Sequence, residues 1–231
     1  MLGRIEYKPT PAKFLTVERH FGRRSVERLL GIRDHSDVLP SDSIPIIRRQ
    51  LDQSAEVIAA RWGAIMRDAP APAANSSVAN LFAAEPAIEA APGHPVWGTA
   101  MANARCLIPA TGWYRCLPRI DEATGEPVVD PETRAVAKRR FALRNPRQQM
   151  VSFAGVYRTR SIGGNTQLSA TILMRAAPPE LAWLHEYVPC VLPESLWSSW
   201  LNPTLVEPDA ISQILDRAQH EFDVSETAWC R

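Results

Sequence analysis

Residues 106–116 read CLIPATGWYRC: an apolar run, a Thr-Gly turn, two aromatics, then Arg115 held between Tyr114 and Cys116. Apolar and aromatic residues gathered around a turn signal predict extended chain on both sides of it. An arginine on the far side of that turn is out of place unless its guanidinium has a task. Working outward, RRFALR (139–144), VSFAGVYRTR (151–160) and LSATILM (168–174) read as further strands, and so do SIPIIRRQ (43–50) and SAEVIAARWGAI (54–65) upstream.

Helical pieces surround this strand-rich centre. LTVERHFGRRSVERLL (15–30) spaces its apolar residues by three and four and breaks near Gly22, which predicts one or two short helices. LFAAEPAIEAA (81–91) and VWGTAMANA (96–104) read as helical on either side of a PGHP breaker. PPELAWL (178–184), PESLWSSWL (193–201) and EPDAISQILDRAQ (207–219) each open with proline or an acidic residue, as helix first turns do. DAPAPAANSS (68–77) reads as an exposed loop, and residues 120–139 as an insertion between two strands. The expected fold is α+β: one domain over residues 1–231, a strand-rich centre with peripheral helices.

Composition excludes several function classes. The 26 Lys and Arg against 25 Asp and Glu leave no global basic charge, so any polyanion site must be a local patch. Cys106, Cys116, Cys190 and Cys230 lack CxxC spacing, which argues against a zinc site or a disulfide framework and for mostly buried thiols in a reducing compartment. No signal peptide or long apolar span is visible, so a cytoplasmic protein without membrane contact is expected, as a monomer and without a cofactor or metal. Among the histidines, His94 lies in the PGHP loop and His35 in RDHSD; His185 is best placed, where PPELAWL gives way to an extended VPCVL run. A Cys/His hydrolase using Cys190 is disfavoured because a separation of five along a strand puts the two side chains on opposite faces. Trp62 and Gly63 suit either a base-stacking platform or an ordinary core tryptophan beside a close-packed glycine, with the core favoured.

The order of Gly3-Arg4, VLPSDSIPII, RWGAI, RCLIPATGWY, SFAGVY and HEYVPCVLP resembles the SOS response-associated peptidase family, over residues 3 to about 200. The resemblance implies a twisted, barrel-like mixed sheet flanked by short helices, in a protein of the DNA damage response that binds single-stranded DNA and caps abasic sites. In that family an exposed N-terminal cysteine closes a thiazolidine ring on the abasic aldehyde, its amine forming the imine and its thiolate trapping it. An asparagine, a glutamate after the GWY turn and a histidine position and protonate the reacting groups. Carried over one at a time, the histidine is His185 and the asparagine Asn80, with Asn103 a decoy; the glutamate position holds Arg115 and the cysteine position Leu2.

Leucine supplies no nucleophile, and a bulky second residue blocks removal of the initiator Met, so the expected chain keeps Met1 and forms no thiazolidine. Its α-amine, near pKa 8 for an ordinary terminus, leaves room for a reversible imine. A guanidinium at position 115 cannot serve as general acid or base near neutral pH. The arginine of the family's asparagine motif is replaced by Leu81, and a strand threonine by Met174 or Arg175. A DNA surface is accordingly expected to draw on Gly3, Arg4, Trp62, Gly63, Arg105 and Arg175, with Arg4, Arg105, Arg115 and Arg175 as a local positive patch. The rival expectations are a non-covalent nucleic-acid or anion-binding module and, less favoured, a hydrolase built on Cys116 or Cys190 with His185.

Overall fold

The computed structural model describes residues 4–32, 35–63, 98–147, 149–162, 164–218 and 222–227. The CLIPATGWYRC stretch is two strands in two different sheets. β5 (Arg105–Ala110) belongs to a closed barrel formed with β3 (Ser43–Arg49), β4 (Ala55–Trp62), β8 (Val151–Ile162) and β9 (Asn165–Ile172), in the order β3-β4-β9-β8-β5. β6 (Gly112–Pro118) sits in a five-stranded sheet with β1 (Arg4–Tyr7), β2 (His35–Val38), β7 (Lys138–Arg144) and β12 (Asp223–Thr227), in the order β12-β7-β6-β1-β2.

Only Thr111 separates β5 from β6. Its N–H donates to Glu6 O at 2.8 Å and its hydroxyl to the same oxygen at 3.1 Å, so the crossover is stitched to β1. Gly112 follows because a Cβ there would lie 2.8 Å from Leu143 O. β5 is buried at every position, and this accounts for its unbroken apolar run: one face fills the barrel and the other is covered by helices. Inside the barrel Gly155 passes so close to Ile108 that a Cβ would meet its Cδ1 at 2.6 Å.

The helices cover the barrel's outer surface, and Arg105 ties them to it. Its side chain points away from solvent and donates to the carbonyls of Met101 and Ala102 in α3 (Gly98–Asn103), of Trp200 in α4 (Trp197–Trp200), and of Asn202 and Leu205 beyond it. These are carbonyls that helix ends leave without intrahelical partners. Trp200, fully buried, donates its indole N–H to Cys106 O at 2.9 Å. The expected break near Gly22 is present: with φ of 78° it separates α1 (Leu15–Phe21) from α2 (Arg23–Leu30).

The α+β reading and its barrel-like mixed sheet are borne out, with differences in detail. PPELAWL makes only a 3-10 turn at Pro179–Leu181, the chain then turning into β11 (Tyr187–Pro189), which pairs with β10 (Met174–Ala176). PESLWSSWL opens as a 3-10 turn before α4, and EPDAISQILDRAQ holds α5 (Pro208–Asp216). Strands β1, β2 and β12 are additions to the expected set. The 68–77 loop and the 81–91 helix lie outside the described residues. Among the described residues no helix is long and apolar enough to cross a membrane.

The cysteines divide. Cys106 and Cys190 are free and buried, as expected, whereas Cys116 is disulfide-bonded, which corrects the thiol expectation at that position.

Candidate functional site

Strand alternation sorts β6 into two faces. Trp113 and Arg115 share one. Trp113 is core, its ring edge-on to Phe153 and Phe222 at centroid distances of 5.7 and 4.5 Å. Two residues further, Arg115 is half-buried and faces Phe141, its partner across the β6–β7 ladder. Its Nε is buried with no hydrogen-bond partner among the described residues. Burial lowers the pKa of this guanidinium, which stays cationic near neutral pH.

His185 approaches from the chain entering β11. Its Nδ1 lies 3.0 Å from both the backbone N–H and the carbonyl of Tyr187, so it accepts from the first when unprotonated and donates to the second when it carries a proton. Burial first, then the charge of Arg115, lowers the histidine pKa. Arg115 is thus near enough for its charge to act on His185, and the histidine is biased towards its neutral form. Beside them Trp183, 55 % exposed, stands edge-on to Phe141 at 5.2 Å. Sequence reading passed over Trp183 because it counted the residue as part of an amphipathic helix.

The other face of the sheet carries a second polar cluster. Glu6, 2 % exposed, accepts from Arg144 Nε at 3.0 Å and Nη2 at 3.1 Å and from the Tyr114 hydroxyl, with Lys8 Nζ 3.1 Å away. Burial alone would raise this carboxyl, but those bonds outweigh it and hold the pKa down to about 2. Arg140 lies 3.6 Å above the Tyr114 ring and pairs with Asp37 at 2.6 Å. A carboxylate is thus present beside β6, but it is ionised, bonded on all sides and on the face away from Arg115. It cannot stand in for the glutamate absent at position 115.

The expected positive patch is not assembled as one surface. Arg4 pairs in register with Tyr114, on the face opposite Arg115, and is 3.4 Å from Asp37. Arg105 is 6 % exposed and spent on backbone carbonyls, so it is a structural clamp, and its pKa is pulled down to about 10 by burial. Arg175, half-buried on β10, donates to Leu215 O at 3.3 Å. Trp62 is buried in the core, the alternative favoured from sequence. Gly63, with φ of 117° and its N–H bonded to Ala170 O at 2.8 Å, occupies backbone that favours glycine. Asn103 is exposed and donates to Thr99 O within its own helix. Met174 is buried. Leu2, Gly3, Asn80 and His94 lie outside the described residues, as does the side chain of His35.

Among the described residues no thiol is poised for hydrolysis. Cys190 is fully buried and its pKa is pushed up to about 12 by burial, and Cys116 is in a disulfide. A polar cavity of about 240 Å³, part of it open to solvent, lies between Asn145, Arg147 and Gln149 on one side and Val191, Glu194 and Trp197 on the other, and is lined by neither Arg115 nor His185.

The family model described as SOS response associated peptidase (SRAP) matches residues 1–228. Two curated relatives, the abasic site processing proteins YobE and YoqW of Bacillus subtilis (strain 168), are each 25% identical over 122 residues, 52% of this chain. The match covers 49% of YobE and 48% of YoqW, so the chain spans about half the length of the curated relatives it matches. Solved structures of a protein from Bordetella bronchiseptica (TM-score 0.67, 18% identity, 98% of this chain and 99% of that one) and of one from Bacteroides thetaiotaomicron (TM-score 0.68, 18%, 96% and 91%) share the fold. A phage-related protein of Bordetella bronchiseptica does so as well (TM-score 0.65, 19%, 97% and 93%).

Proposed function

The chain belongs to the SOS response associated peptidase family, and from that premise we propose that it binds single-stranded or abasic-site DNA in the DNA damage response without forming a stable thiazolidine crosslink. The observation that carries this reading is Arg115: a half-buried cation beside His185, with a buried Nε that has no partner among the described residues. A guanidinium so placed is suited to holding a phosphate oxygen or the hydroxyl of an opened sugar, and unsuited to moving a proton. Leu2, at the position where the resemblance puts cysteine, supplies no thiolate to trap an imine. The names of the two Bacillus relatives support abasic sites as the class of target.

Any covalent step is then limited to an amine: its nitrogen adds to the abasic aldehyde carbon, water leaves, and a C=N bond forms that water can reverse. A denaturing gel of the protein with single-stranded DNA bearing one abasic site, with and without borohydride, tests the reading. The expected wild-type result is no adduct without reductant. A Leu2→Cys variant, with Met removal confirmed by mass, is expected to crosslink if the pocket around His185 still accepts the aldehyde. A reductant-independent adduct in the wild type would overturn the proposal.

The unpartnered Arg115 Nε also favours a second reading, a purely non-covalent anion receptor. Affinity that falls with salt and is lost in Arg115→Ala, with no adduct even after borohydride, selects it.

A further inference from the structure

The aromatic group beside the site is built for a flat ligand. Trp183 is exposed, yet its indole N–H is already bonded to Glu180 O at 3.0 Å, so the group presents an aromatic face and no free donor. Its ring meets Phe141 in a T-shaped contact at an interplanar angle of 87°. Phe141 is pinned in turn by Arg139, 5.4 Å from its ring centroid, and by its place in the ladder opposite Arg115. More than half of Trp183 still faces solvent, so aromatic surface remains for a further flat group to cover. Through Phe141 this surface shares a face of the sheet with the half-buried cation of Arg115.

We propose that Trp183 is a stacking shelf for an unpaired nucleobase, set so that the neighbouring phosphate of the same strand meets Arg115. This rests on the DNA-binding reading above and names the residue that grips a base rather than the backbone. Stacking on an aromatic face is indifferent to base identity, so the shelf takes any unpaired base. A cation beside an aromatic shelf fits a strand whose phosphates and bases alternate, and fits poorly a simple anion or an apolar peptide.

The test measures binding by fluorescence anisotropy on two labelled strands of equal phosphate number, one carrying bases throughout and one made of baseless tetrahydrofuran spacers. The proteins are wild type, Trp183→Ala, Trp183→Phe and Arg115→Ala, each with its thermal unfolding midpoint recorded. Trp183→Ala is expected to weaken binding of the base-bearing strand by roughly 5- to 150-fold, to leave the spacer strand unchanged, and to be largely rescued by Trp183→Phe. Arg115→Ala is expected to weaken both strands and to flatten the salt dependence. Wild-type binding that Trp183→Ala leaves intact on both strands, or weakens equally on both, overturns the shelf while leaving DNA binding standing. Failure of the wild type to bind either strand overturns both proposals.

Discussion

The backbone of Tyr187 brackets Nδ1 of His185, its N–H and its carbonyl each 3.0 Å away, and so holds in place a ring that also lies in the field of Arg115. The ring is held by its own chain two residues on, and its charge state is set by burial and by a different strand. The folded protein keeps this histidine neutral at pH values where the unfolded chain has begun to protonate it. Stability is accordingly complete above the ordinary value of 6.5 and declines as pH falls below it. In Arg115→Ala the His185 titration midpoint, followed by ring NMR signals assigned with His185→Gln, is expected to move up. No movement would show that the cation does not reach the ring.

Glu6 gives the acid side of the same analysis. With its pKa held at about 2 against an ordinary 4.5, it stabilises the fold fully above about pH 4.5 and loses that contribution as pH falls towards 2. Glu6→Gln leaves Arg144 and Tyr114 without their acceptor and is expected to cost about 3 kcal/mol in urea unfolding at neutral pH. The wild-type and variant stability curves should converge as the pH is lowered through that window. Parallel curves would contradict the assignment.

Arg105 separates structure from binding. Arg105→Met strands several carbonyls at the ends of α3 and α4 and is expected to cost about 3 kcal/mol. The slope of DNA affinity against salt should not change, because the residue does not reach the surface. A reduced slope would return it to the binding surface.

Gly155 probes barrel closure. Gly155→Ala drives a methyl against Ile108 and is expected to destabilise by 1–3 kcal/mol, roughly. Adding Ile108→Val removes the atom it strikes and should recover part of that loss. Additive effects in the double variant would mean that the chain relaxes elsewhere.

How much of this was legible in the sequence depends on where the stabilising energy lies. β3, β5, β8 and β9 announce themselves because each buries a run of apolar residues. RIEY, HSDV and DVSET do not: these four- and five-residue strands owe their conformation to their ladders, β1 with β6, β2 with β1 and β12 with β7, rather than to their own composition. His185 and Arg115 were singled out through motif order, and the charge of Arg115 reaches the histidine ring. Arg105 was misjudged because a charged residue at a strand's start reads as exposed, and three of its five backbone acceptors, Trp200, Asn202 and Leu205, lie in a segment too distant to be seen along one chain. Trp183 was hidden by the same blindness, its neighbour Phe141 lying some forty positions away in β7.

The single residue between β5 and β6 has a wider consequence. Because the chain leaves the closed barrel at Ala110 and enters the open sheet at Gly112, position 115 lies outside the ring of hydrogen bonds that closes the barrel. The scaffold and position 115 are mechanically adjacent yet separately specified. A change of side chain at this position of β6 breaks none of the ladders that close the barrel, so a lineage carrying this fold is free to vary the charge there without first having to rebuild its body.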